Sequence, residues 1–185
     1  MHPRTRPTLS SLLVCATALV LGSAPAFAAG DKKTYEDAKS LAKQTYTGAL
    51  KSCDPLDGNR KDICVADAKA ARVRSEAEAE AAYKGTAKAR EAASRDIAEA
   101  NYKAAKERCD DLKGNAEDVC EKEAKAALTR ARADAKANRK SVRARDDATK
   151  DKMKADYEVA KQKCDAMSGD AKDACTKQAK AQYPH

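Results

Sequence analysis

The sequence predicts an all-α fold of elongated antiparallel helical hairpins, two long helices flanked by two short ones, closed by three intra-hairpin disulfides. Three observations carry this reading. A cysteine-bearing unit recurs three times, at residues 46–71, 102–127 and 157–183. No proline interrupts the chain between Pro55 and Pro184. Ala, Lys, Glu and Arg dominate the segments between the repeats, and all four are good helix formers.

Residues 1–28 stand apart as a secretory signal peptide. Arg4 and Arg6 give the positive n-region, residues 12–22 (LLVCATALVLG) the apolar h-region, and Ala26-Phe27-Ala28 an A-x-A cleavage site. The apolar run is about eleven residues, well short of the roughly 20 that span a bilayer as a helix. Cys15 lies inside the h-region behind Val14, which is not the setting of a lipidated cysteine. Cleavage near Ala28 leaves residues 29–185 as a single elongated helical domain, periplasmic or secreted. Arg4 and Arg6 leave with the peptide, so a net charge of +8 becomes +6, and six of the seven cysteines remain. At 36% charged and 4% aromatic residues the chain also has the signature of disorder, and it is the repeat that argues against that reading.

Each repeat begins at a tyrosine, Tyr46, Tyr102 or Tyr157, with alanine three residues on (Ala49, Ala105, Ala160). Cysteine follows (Cys53, Cys109, Cys164), then Leu56, Leu112 or Met167, at steps of three and four that share one helix face. Gly58, Gly114 and Gly169 suit a left-handed residue ending the first arm. Asn59, Asn115 and Asp170 suit the N-cap of the second, with Asp62, Asp118 and Asp173 completing a variant capping box. The second arm carries Cys64, Cys120 or Cys175, then Ala68, Ala124 or Ala179.

Antiparallel geometry sets Ala49 opposite Ala68, Ala105 opposite Ala124 and Ala160 opposite Ala179. Ordinary helix pairs lie about 8–10 Å apart, whereas a disulfide wants Cα atoms roughly 5.5–6 Å apart. Alanine in the adjacent layer permits that approach. Six cysteines allow 15 pairings, and the spacing together with an export signal favours Cys53–Cys64, Cys109–Cys120 and Cys164–Cys175.

The expected elements are a short helix at 31–53, long helices at 60–111 and 116–166, and a short helix at 171–182. The result would be a rod with the Gly114 turn at its thin tip. A competing arrangement breaks the long helices near Gly85 and near Asn138-Arg139-Lys140, giving three separate hairpins.

No motif for catalysis, cofactor or metal emerges. Zinc sites favour Cys-x2-4-Cys with histidine partners, and the only histidine after residue 28 is His185. The turns gather carboxylates but lack the ligand pattern of a calcium loop. No Cys-x-x-Cys points to redox catalysis, so the chain is expected not to be an enzyme. The tyrosines read as core, each ring capping an alanine layer.

The one charge feature above background is residues 129–145, with Arg130, Arg132, Lys136, Arg139, Lys140, Arg143 and Arg145 against Asp134 alone. It would attract an anionic polymer such as lipopolysaccharide or teichoic acid. Alternatively it is a solvated helix face neutralised by Glu76, Glu78, Glu80 and Glu91 on an antiparallel neighbour. Interspersed acids and the signal peptide argue against nucleic acid as the partner.

The repeated Cys-Asp-x-Leu-x-Gly-Asn-x-x-Asp-x-Cys followed by Ala-Lys-Ala resembles a group of exported bacterial Ala/Lys-rich Cys-repeat proteins, often labelled TolA-like or cell-envelope-biogenesis proteins. The resemblance covers essentially the whole chain, while the likeness to TolA itself lies in Ala/Lys-rich composition. A fainter likeness to the PsiF repeat rests on cysteines around a Leu-Lys-Gly turn. The resemblance implies a helical protein of the cell envelope and carries over no functional residue. The expected role is structural or interactive, with an envelope protein, an anionic polymer or another copy of the chain as partner. The alternative is a basic helical binding module or a holdase chaperone comparable to Skp.

Overall fold

The computed structural model describes residues 30–184, which form five helices with no strand among the described residues. Residues 1–29, which include the expected signal peptide with Cys15, and His185 lie outside the described residues. Helix α1 spans Lys32–Cys53, α2 Gly58–Lys84, α3 Ala87–Cys109, α4 Asn115–Cys164 and α5 Gly169–Gln182. The all-α hairpin fold read from the repeat is the observed one.

Each helix begins and ends for a local reason. The Asp31 carboxylate accepts from the Thr34 N–H at 2.9 Å and caps α1. Gly58, Gly114 and Gly169 all have φ between 54° and 60°, the left-handed turn that a side chain resists. The predicted capping residues do not cap. No side-chain cap hydrogen bond opens α2, α4 or α5, and the Asn59 amide instead donates to the Glu107 carbonyl at 2.8 Å. That contact ties the start of α2 to the end of α3, so Asn59 serves tertiary packing.

The long helix expected at 60–111 is two helices. Gly85 takes φ 61° and donates its N–H to the Ala81 carbonyl at 3.0 Å, closing α2 with a left-handed cap. Thr86 at once caps α3 by accepting from the Ala89 N–H at 3.1 Å. The Arg90 guanidinium donates to the Gly85 carbonyl at 3.3 Å and braces the turn. The second long helix is continuous, because its 50 residues contain no glycine or proline and run through Asn138-Arg139-Lys140 unbroken. At 1.5 Å per residue α4 is about 75 Å long.

The helices form a serial array. Close packing joins α1 to α2, α2 to α3, α3 to α4 and α4 to α5, and no other pair. Chain reversals at residues 54–57, 85–86, 110–114 and 165–168 make each pair antiparallel. The core is correspondingly thin and mostly alanine, with Ala77, Ala81 and Ala93 forming a cluster backed by Ile97 between α2 and α3. The expected rod with the Gly114 turn at its thin tip is thereby replaced: the break at Gly85 folds α3 back along α2, leaving α5 on the far end of α4.

Candidate functional site

The three hairpin ends are built alike. Cys53–Cys64, Cys109–Cys120 and Cys164–Cys175 are bridged, with Cα–Cα distances of 5.7, 5.7 and 5.6 Å. Cys53, Cys109 and Cys164 are the most deeply enclosed side chains among the described residues. In the next layer Ala68, Ala124 and Ala179 are buried, opposite half-buried Ala49, Ala105 and Ala160. Small side chains in that layer let the helices close to disulfide distance, as the spacing required.

The tyrosines lie above this layer. Tyr157 is buried and Tyr46 and Tyr102 are half-buried. The Arg72 guanidinium sits 5.2 Å from the Tyr46 ring centroid, and the Lys125 ammonium 5.6 Å from that of Tyr102. Both cations lie over the rings they shield. A second aromatic contact, unforeseen from the repeat, stacks Tyr35 on Tyr83 at 4.9 Å and fastens the N-terminus of α1 to the C-terminus of α2.

The basic stretch lies on α4, and the structure divides it. Arg132 donates to Glu99 on α3 at 2.7 Å, and Arg139 Nε comes within 2.5 Å of Glu91 as an ion pair without hydrogen-bond alignment. The bond and charge of Arg132 hold the Glu99 carboxyl below its ordinary value. Closer to the disulfide, Lys106 pairs with Glu121 at 3.0 Å, and that partner holds the ammonium above its ordinary value. Arg130, Lys136, Lys140, Arg143 and Arg145 make no ion pair among the described residues and are exposed.

Of the four acids expected to neutralise this stretch, only Glu91 does. Glu76, Glu78 and Glu80 pair along α2 itself with Arg72, Arg74 and Lys84. The turn at Gly85 sets α3 beside α4, which delivers Glu91 and Glu99 and leaves the α2 acids elsewhere. The pairing of Glu99 was missed for the same reason, and the Gly85-Thr86 cap signal was the one that could have located it.

Beyond Val142, which borders the start of α3 near Ala87 and Glu91, α4 is largely exposed. From Ser141 to Asp156 only Val142 and Met153 are even half-buried, and the helix is next covered where α5 packs on it. Elsewhere a groove of about 480 Å³ runs between α2 and α3, floored by Val65, Ala66, Ala70, Val73 and Ala100 and rimmed by charge. No group of three or more His, Cys, Asp or Glu among the described residues is placed to hold a metal ion. No helix of the described residues is long and apolar enough to cross a membrane. No family model, curated protein or solved structure matches the chain.

Proposed function

We propose that this chain is an exported, non-enzymatic interaction protein of the cell envelope, acting in the periplasm or after secretion. The observation that carries the reading is the bare span of α4. Residues 143–152 form about 15 Å of helix in which every residue is exposed, joining the α1–α4 array to the α4–α5 hairpin. A charged helix without a packing partner is marginal by itself, and a surface contact would stabilise it. The three disulfides suit an oxidising compartment. The test is site-specific photocrosslinking in living cells from Thr149, exposed on this span, with mass spectrometry of the adducts. One dominant envelope partner is expected; the absence of any adduct would overturn the reading.

A second reading is favoured by Arg130, Lys136, Lys140, Arg143 and Arg145, which are exposed and make no ion pair among the described residues. They would bind an anionic envelope polymer such as lipopolysaccharide, and binding would weaken steeply as salt rises from 0.01 M, where the Debye length is about 30 Å, to 0.15 M, where it is about 8 Å. Replacing Arg130, Lys136 and Lys140 by Gln should abolish salt-sensitive binding, and salt-independent binding would contradict the electrostatic account. A holdase of the Skp kind would instead retain unfolded clients at high salt.

A further inference from the structure

The repeat recurs at a spacing of 56 residues from the first copy to the second and 55 from the second to the third, as Cys53, Cys109 and Cys164 show. The turn joining the first two copies is Gly85-Thr86, and the residues at the same place between the second and third are Ser141-Val142. Neither can supply the left-handed cap that Gly85 supplies. Where α2 and α3 fold back on each other, their counterparts therefore stay in line as the two halves of α4.

The faces that meet in the closed hairpin are present in the open one. Ala77 and Ala81 of α2 and Ala93 and Ala104 of α3 are 3–9% exposed, and the first three pack together. Their counterparts on α4 are Ala133, Ala137, Ala148 and Val159, all exposed, Val159 at 56%. At 100° per residue these four fall within about 80° of one another on the helix wheel. The buried residues of α4, such as Leu128 and Ala135 against α3 and Cys164 against α5, lie on the opposite side. Both neighbours of α4 thus sit on one side, and from Ala133 to Ala148 the other is exposed, with Val159 at its edge beside the cleft against α5.

We propose that this face is covered by a second copy of the chain. The two α4 helices would run antiparallel about a two-fold axis near Val142, the first half of each packing on the second half of the other, as α2 packs on α3. One α4 cannot satisfy its own halves, and a two-fold partner satisfies both at once. Charge agrees. Residues 129–145 carry seven cations and one acid, whereas residues 146–158 carry Asp146, Asp147, Asp151, Asp156 and Glu158 against three lysines. Transferring the contact of Ala77 and Ala81 with Ala93 sets Ala148 of one copy against Ala133 and Ala137 of the other, which brings Asp147 and Asp151 near Arg130, Lys136 and Lys140. The inference rests on the repeat and draws on the same exposed helix as the envelope reading but commits to a different occupant, so a monomeric purified chain refutes it alone, while the adducts from Thr149 test the envelope reading separately.

Sedimentation velocity on the chain from residue 29 onward, disulfides intact, tests it. The expected mass is twice that of the chain at tens of micromolar. Ala137→Glu with Ala148→Glu should halve the mass while circular dichroism keeps the helical signal. Ser141→Gly with Val142→Thr should also give a monomer, by restoring the closing turn and letting α4 fold on itself. A wild-type monomer at 100 µM overturns the proposal, as does a dimer that survives the paired glutamates.

Discussion

Removing the Cys164–Cys175 bridge should release α5 and leave the rest of the fold in place. The bridge joins residues 11 apart, and closing a loop of about 12 residues corresponds to about 3 kcal/mol in the chain-entropy model. Beside the bridge, α5 is held by a small contact with α4, in which the Tyr157 ring is buried. Ala179 is its one buried residue, and burying a methyl group is worth about 0.8 kcal/mol. Its pair from Lys172 to Asp165, 3.0 Å long, is exposed on both sides and belongs to a class that contributes little. A helix of 14 residues does not persist alone in water. In the Cys164→Ser/Cys175→Ser variant, hydrogen exchange should show the α5 amides losing about two orders of magnitude of protection, with α2 and α3 unchanged. The matching Cys53→Ser/Cys64→Ser variant should keep α1 helical, because the Tyr35–Tyr83 stack holds its other end. Retained protection of α5 without its bridge, or loss spreading into α2 and α3, would refute the reasoning.

The turn at Gly85 should be costly to alter: Gly85→Ala forces a side chain into φ 61° and should lower stability by about 1 kcal/mol, and Thr86→Ala should cost about as much through the lost cap, both read from urea midpoints. Leu128→Ala removes the largest buried aliphatic side chain of α4 and should cost about 2 kcal/mol, the low end for such truncations because so thin a core can relax. The Glu99 carboxyl is held below its ordinary 4.5 by Arg132, so its contribution is present above that value and is lost as pH falls through the depressed folded value. The gap in urea midpoint between wild type and Glu99→Gln should therefore be present at pH 7 and narrow as the pH is taken below 4.5.

The hairpin ends were legible because their determinants are local. A cysteine pair, a glycine and two facing alanines fix the chain within a dozen residues, and the three bridges follow. The path between hairpins was less legible because both outcomes use the same helix-forming residues. Gly85-Thr86 reads equally as one weak point in a long helix or as a C-cap followed by an N-cap, and the Ala77, Ala81 and Ala93 contact that decides it is tertiary. The partners of the basic stretch depended on that decision, which is why Glu99 was missed and Glu76, Glu78 and Glu80 were misplaced. Asn59 shows the same limit, since its amide reaches a carbonyl 48 residues away in place of its own helix end.

One repeat is built in two forms, closed at Gly85 and open at Ser141. The most direct test is the distance between genetically encoded spin labels at Arg130 and Lys152, measured by double electron–electron resonance with excess unlabelled chain so that only intrachain pairs report. A continuous α4 predicts about 33 Å for this 22-residue span. A distance near 10 Å, the spacing of packed helices, would mean that α4 folds back at Ser141 as α2 and α3 do at Gly85, and would contradict the account.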